Sequence, residues 1–348
     1  MDQNDLTKLQ AYLQEAYPDR RDLHVSDLVS LSVGWDSDVY GFRAAWNSQG
    51  EPHDEALVLR VYPGVDAVWK SAREFEAMQM LYRAGYPVPR VDLLEREQSP
   101  FGKPFMIMQR AAGSGMWERL FHSAADNQHH LMDLFCGLFA RLHAVEWRKY
   151  LPDSAERGAD ESHNSVERTL SRWMPHLNNL PIPGFHANFQ WLAEHQHLVQ
   201  PGPAVPAHWD FHPENVLLDN DGDAVVIDWT SFELTDYRFD LAWTLLLIGS
   251  HEGMQWREVI LRNYERLSGR KVEGLEYFDA ACALRRLFSV VASVIYGPEK
   301  LGMRPGAQDI MRRQAPALRK VYNLLQERTG LPIVEVEQFL EEADPQPQ

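Results

Sequence analysis

Apolar and polar positions change rhythm along the chain near residue 110. Residues 4–16 carry apolar side chains at helical spacing and predict a short amphipathic helix. Strand alternation follows. Tyr40, Phe42, Ala44 and Trp46 share one face of 38–46. Leu57, Leu59 and Val61 share one face of 55–62, with Val58, Arg60 and Tyr62 on the other. A helix is predicted after Pro63-Gly64, capped by Asp66, with Phe75, Met78, Leu81 and Tyr82 as its apolar stripe and Gly85 and Pro87 ending it. Segments 90–97 and 104–109 read as further strands flanking the turn at 99–102, so the chain up to residue 110 forms a small α+β layer of roughly five strands.

Beyond Ala111 the period becomes helical, clearest in Leu131, Leu134, Phe135, Leu138, Leu142 and Val145. Residues 151–184 are polar and Pro-containing and read as loop or loosely helical connection. A helix over 185–200 precedes the Pro-Gly-Pro break at 201–203. A loop-and-hairpin region spans 206–232, and the remainder to about residue 340 is mostly helix. No internal repeat interrupts this order.

Length and composition narrow the class. The chain has 348 residues and 45% apolar content, enough for two packed lobes. Lys+Arg 34 against Asp+Glu 50 gives −16, which argues against a general nucleic-acid binder. Cys136 and Cys282 sit in apolar helical patterns, as buried core residues do, so neither a disulfide framework nor a Cys-based zinc site is expected. The longest apolar runs, 241–248 and 287–295, are too short to span a bilayer, and the first ten residues lack a signal-peptide pattern. A cytoplasmic protein with no membrane or nucleic-acid partner is the expectation.

The chemistry concentrates in His208-Trp209-Asp210-Phe211-His212-Pro213-Glu214-Asn215. Phosphoryl transfer needs a carboxylate beside the attacking hydroxyl and oxygen ligands for magnesium beside the phosphates. Asp210 and Asn215, five apart on a tight loop, can supply one of each. After the turn at 219–223 and the short apolar strand 224–227, the chain returns so that Asp228 can complete an all-oxygen site. Blander readings compete. Asp210 and Asn215 alone would pass for Asx-turn residues. Residues 219–223 resemble the start of a calcium loop, but Ala224 and Thr230 stand where it needs Gly and Glu. His208 and His212 have zinc-helix spacing, but Trp209 replaces the catalytic Glu and Pro213 is poor within a helix.

The pattern His-x-Asp-x-x-x-x-Asn, then a hairpin and an Asp, resembles the catalytic loop and metal-binding Asp of the kinase fold. His212 after the Asp, and Asp228-Trp229 in place of Asp-Phe-Gly, look like the aminoglycoside phosphotransferase and choline kinase branch. Residues 31–40 are similar to that family's nucleotide loop, 57–62 to its third strand, 73–90 to its helix C, 105–113 to its hinge and 236–242 to its Asp-x-x-x-Asp-Leu-Ala turn. The resemblance implies a bilobal α+β fold: a helical segment over 1–24, a sheet-rich lobe over 25–110, and a helical lobe over 111–348 that carries loop 208–215 and Asp228.

It also implies roles. Asp210 would orient the acceptor hydroxyl and take its proton, and Asn215 and Asp228 would hold Mg2+. Backbone amides around Gly34, Ser37 and Asp38 would cover the ATP phosphates, which Arg60, braced by Glu74, would contact. Backbone groups from Gln109 to Ala111 would hold adenine, with ATP in the cleft. Arg60 stands where protein kinases have Lys, and Trp209 where the aminoglycoside enzymes usually carry Gly. Glu74 is also spaced to pair with Lys70. Asp236 and Asp240 read as structural, pinning the loop after the metal site, and Trp173 and Trp191 as pocket or core. The implied activity is ATP- and Mg-dependent phosphorylation of a hydroxyl on a small molecule. Aminoglycosides, choline-like amines, sugars, amino acids and nucleoside-like alcohols all stay open as acceptors. The rival readings are a nucleotide-binding pseudokinase scaffold, a protein kinase and a metal-dependent hydrolase.

Overall fold

The computed structural model describes residues 3–31, 37–64, 66–97, 99–151, 165–298 and 307–343. The chain divides into two compact units, Met1–Gly113 with Asp219–Thr230, and Ser114–Leu218 with Ser231–Gln348. The first unit therefore takes in a segment from the region that the resemblance assigns to the helical lobe.

In the first unit, helix α1 (Gln3–Ala16) precedes strands β1 (Arg21–Ser30), β2 (Asp38–Ser48) and β3 (Glu51–Val61). Helix α2 (Ala67–Arg83) and strands β4 (Val91–Glu95) and β5 (Phe105–Gln109) follow. The strands form one antiparallel sheet in the order β1-β2-β3-β5-β4. Alternation decides its faces. Phe42, Ala44, Leu57, Leu59, Val61 and Ile107 join Leu9 and Leu13 of α1 in one apolar cluster. Strand β1 is absent from the periodicity-based reading, and its geometry explains why. Asp22 and Asp27 both take φ of 56°, at the two register shifts of the β1–β2 ladder. Such bulges break a period of two.

Helix α2 ends at Arg83, and Gly85 turns the chain away with a φ of 74°. Asp66 sits at its N-cap but makes no side-chain capping bond. The buried stripe of α2 runs through Ser71, Glu74, Met78 and Leu81, while the predicted Tyr82 is 49% exposed. A buried glutamate in that stripe requires a partner.

The second unit is helical, with four short strands among its described residues. They are β6 (Ser114–Gly115), β7 (Ala204–Ala207), β8 (Val216–Leu218) and β9 (Glu233–Asp236). Antiparallel pairing joins β6 to β8 and β7 to β9. The helices are α3 (Trp117–His122), α4 (Ala125–Leu142), α5 (Ser165–Asn179), α6 (His186–His195), α7 (Tyr237–Glu252), α8 (Gln255–Ser268), α9 (Leu275–Tyr296), α10 (Ala307–Arg313), α11 (Ala315–Thr329) and α12 (Val334–Ala343). Helix α7 is buried on nearly every side, as expected of a central helix that is apolar all round. Asp236 caps it by accepting from the Arg238 N–H at 3.0 Å.

Of the loop or loosely helical connection expected over 151–184, Ser165–Asn179 forms a regular helix, α5. Val166 and Thr169 are buried at helical spacing, but the charged residues between them and Pro175 mask the period. Residues 152–164 of that segment lie outside the described residues. Cys136 and Cys282 are free and buried. Among the described residues, no helix is long and apolar enough to cross a membrane.

Candidate active site

Three supports hold the loop that carries Asp210. At its start, the buried Asp240 on α7 accepts the N–H groups of His208 and Trp209, each at 2.7 Å, and contacts His143 Nε2 at 3.2 Å. In its middle, Phe211 stacks on Phe139 with ring centres 4.3 Å apart, and Thr244 Oγ1 donates to the Phe211 carbonyl at 2.8 Å. At its end, the Met116 N–H reaches the carbonyls of Pro213 and Val216. Asp240 thus fixes the Asp210 loop itself rather than the loop after the expected metal site. Asp236 serves elsewhere, holding Arg238 and the Gly202 N–H. Asp240→Asn leaves buried donors at the loop unsatisfied and is expected to destabilise the protein by about 2–3 kcal/mol. Thermal unfolding beside the parent chain measures it, and an unchanged midpoint removes Asp240 from the support.

Trp209 adopts φ of 62°, the left-handed region that glycine enters most easily. The tolerated strain has a visible counterweight, because the indole is buried against Phe239, Trp243 and Trp173.

Asp210 itself is 41% exposed, so its carboxylate can meet a ligand. Oδ2 lies 3.5 Å from His212 Nε2, and Oδ1 accepts from Trp243 Nε1 at 3.4 Å. Burial would raise its pKa. The charge and hydrogen bond of His212, then His208 and Trp243, outweigh burial and hold the carboxyl well below the usual carboxylate range. The group is therefore held as a carboxylate near neutral pH. Asn215, 8% exposed, donates its amide nitrogen to the Asp210 carbonyl at 3.0 Å. That contact requires the NH2 there, so the amide oxygen takes the opposite side.

The first unit carries a second cluster. Arg60 on β3 meets Glu74 of α2 at 3.0 Å and Asp228 at 2.8 Å, and donates to Thr230 Oγ1 at 2.7 Å. Tyr62 donates to the other Glu74 oxygen at 2.7 Å, so Glu74 pairs with Arg60 rather than Lys70. Burial lowers the Arg60 pKa, but Glu74 and Asp228 more than offset it and keep the guanidinium charged. Asp228, with φ of 65°, also accepts from Thr230 Oγ1 at 2.6 Å.

Of the remaining sequence-expected residues, Ser37 is buried and Asp38 opens β2, whereas Gly34 lies outside the described residues. The Gln109 and Arg110 N–H groups are committed to the carbonyls of Arg90 and Ala56. Among the described residues, the Ala111 N–H makes no hydrogen bond. Two residues are not singled out in the sequence as site residues: Trp243, which touches Asp210, and Arg285, which packs on Trp243. They sit on separate helices, and no local motif marks either one. Among the described residues, no three His, Cys, Asp or Glu side chains group as a metal site.

The fold is similar to solved structures. One is a Ralstonia eutropha JMP134 protein provisionally assigned as an aminoglycoside phosphotransferase, 17% identical with a TM-score of 0.63, covering 98% of this chain and 99% of that one. Aminoglycoside phosphotransferase APH(4)-Ia gives 18% identity and a TM-score of 0.55, over 88% and 98% of the two chains. A thermostable mutant of that enzyme has been solved in ternary complex with ADP and hygromycin B. Macrolide 2′-phosphotransferase MphH from Brachybacterium faecium gives 18% identity and a TM-score of 0.52, over 98% and 99%.

Two curated relatives are also similar. Acyl-CoA dehydrogenase family member 10 of Mus musculus is 25% identical over 226 residues, which is 63% of this chain and 20% of that protein. Family member 11 of Gallus gallus is 25% identical over 182 residues, 50% of this chain and 23% of that protein. The matches thus span about a fifth of these relatives' length. The structural likenesses establish a protein-kinase-like α+β fold. The sequence profile of the phosphotransferase enzyme family matches residues 27–276, most of the chain, and this protein belongs to that family, APH.

Proposed function

We propose that this phosphotransferase moves the γ-phosphoryl group of ATP, with magnesium, onto the hydroxyl of a small molecule. The observation that carries the reading is the Asp210 carboxylate, ionised, partly exposed and fixed from both sides by His212 and Trp243. Family membership supports the transfer itself.

The donor set suits magnesium. Asn215 offers an amide oxygen, and Asp228 a carboxylate that is 39% exposed, both hard ligands. A magnesium ion held by ligands of this kind would neutralise charge on the phosphate oxygens. Arg60 would supply a further cation, kept in place by Glu74. The Ala111 N–H would donate to the adenine edge, and the amides near Ser37 and Asp38 would cover the phosphates.

In the transfer, the acceptor oxygen forms a bond to the γ-phosphorus, the bridging bond to ADP breaks, and the hydroxyl proton passes to Asp210. A carboxylate with a depressed pKa is a weak base. Its contribution is therefore mainly to hold the hydroxyl in line, which suits a loose phosphoryl-transfer transition state. His212→Gln removes the strongest influence lowering the Asp210 pKa. The acid limb of kcat/KM is expected to move to higher pH in that variant, and a pH–rate profile superimposable on the parent would contradict it.

The direct test is magnesium-dependent ADP release against pools of hydroxylated metabolites and aminoglycosides. A pool that stimulates release establishes the transfer. Mg·ATP binding without release from any pool favours the nucleotide-binding scaffold instead.

A further inference from the structure

Across the Trp243 indole from Asp210 lies a cation that phosphoryl transfer does not use. The guanidinium carbon of Arg285, on α9, is 4.3 Å from the Trp209 ring centre, 4.8 Å from Trp243 and 5.8 Å from Trp173. Indole rings cover the flat sides of a guanidinium, while its N–H donors point outward in the plane. Among the described residues, Arg285 makes no hydrogen bond or ion pair, and its buried Nη1 has no acceptor. The carboxylates that act on it are engaged by other groups. Glu233 pairs with Arg172 at 2.5 Å, Asp240 accepts from the His208 and Trp209 amides, and Asp210 is held by His212 and Trp243. Burial accordingly lowers the Arg285 pKa, as it does for a cation without a counter-charge. The neighbouring Arg286 donates to Gln314 Oε1 at 2.7 Å and adds positive charge.

One indole links this cation to the reaction. Trp243 presents its ring to Arg285 and its N–H to Asp210. An aromatic cluster of this kind would otherwise suit a quaternary amine. Here the chain's own guanidinium occupies the ring faces, and a cationic acceptor would meet like charge.

We propose that Arg285 is the specificity-determining residue for the acceptor, and that the acceptor is a hydroxylated anion. Its carboxylate or phosphate group takes two N–H bonds from the guanidinium edge while its hydroxyl lies at Asp210. The inference rests on the phosphoryl-transfer reading, and adds the charge of the substrate. The chemistry is the transfer already described, with the phosphate ester forming at the hydroxyl and the anionic group unchanged.

The test compares Mg·ATP-dependent ADP release across four matched acceptor sets: linear hydroxycarboxylates, hydroxyalkyl phosphates, the neutral diols of equal length, and amino alcohols with an aminoglycoside. Arg285→Gln and Arg285→Lys are run in parallel, with Mg·ATP affinity measured separately by calorimetry. The two anionic sets are expected to lead, and the better of them tells carboxylate from phosphate. Arg285→Gln is expected to raise KM for anions about 10–100-fold with kcat and Mg·ATP affinity little changed. Should that variant melt early, Arg285→Lys carries the test, with a smaller KM rise in the same direction. Neutral or cationic acceptors turned over as well as anions, or an unchanged KM in Arg285→Gln, would overturn the proposal.

A second readout needs no turnover. Hydroxybutyrate and inorganic phosphate are titrated while tryptophan fluorescence is followed, since three indoles touch Arg285. Saturable change in the parent, lost in Arg285→Gln, is expected; no saturable change with either probe sinks the anion site. Anion binding without any Mg·ATP binding would keep the site and remove the phosphoryl-transfer reading.

Discussion

Asp210→Asn should leave Mg·ATP affinity nearly intact and lower kcat by about 10²–10⁴-fold, the usual range for a positioned acid–base group. The substitution is nearly isosteric. Asp240, Thr244 and Met116 hold the loop through its neighbours, so the backbone keeps its course. The loss falls on the carboxylate alone: its charge near His212 and its capacity to take the hydroxyl proton. Steady-state turnover with a responsive acceptor, together with calorimetric Mg·ATP titration, separates the two effects. Turnover equal to the parent would remove Asp210 from the mechanism. A parallel collapse of nucleotide affinity would make it a binding residue instead.

Asp228→Ala is expected to act on the other quantity, weakening magnesium-dependent ATP binding by about 100-fold or more. Even residues behind a metal ligand commonly cost 10–100-fold in affinity, and Asp228 is proposed as a ligand itself. Two side effects have to be separated. Alanine at a φ of 65° carries left-handed strain of about 1–2 kcal/mol. The loss of the carboxylate also leaves Arg60 with Glu74 and Thr230 only. Asp228→Asn controls for the first, since asparagine tolerates that backbone region, and Asp228→Gly removes the strain altogether. Titrations with and without magnesium decide the matter. Unaltered magnesium-dependent affinity in all three variants refutes the assignment.

The legible parts of this protein were those with short-range signatures. Alternation marked β2 and β3, and the spacing of Asp210, Asn215 and Asp228 pointed to kinase chemistry, because the loop and the following turn are local in sequence. Arg60 and Glu74 were named as a pair through resemblance, and they meet at 3.0 Å. Features that depend on distant packing were hidden. Arg285 follows Trp209 by 76 positions, and nothing in the local pattern of an apolar helix distinguishes a guanidinium bound for indole faces from one bound for solvent. Asp240 reads from sequence as structural but at the wrong loop, since the N–H groups it accepts lie more than thirty positions upstream. Strand β1 escaped because left-handed aspartates interrupt it, and α5 reads as no more than loosely helical because its exposed face is so polar. For Arg285 and Asp240 a tertiary contact, absent from any local window, decided the outcome.

The Arg60 cluster carries a thermodynamic consequence. One guanidinium is shared among Glu74 on the helix, Asp228 and Thr230. Any species that claims Asp228 redistributes that guanidinium toward Glu74, and so changes the free energy holding α2 to the sheet. Linkage makes the relation reciprocal: whatever shifts α2 from outside alters affinity at Asp228 by the same factor. Arginine strengthens this coupling relative to lysine, because its fork can bind two acceptors at once where an ammonium is a single point of charge. On the proposed reading, helix α2 would be coupled through Arg60 to nucleotide binding, even though none of its own side chains need touch the nucleotide.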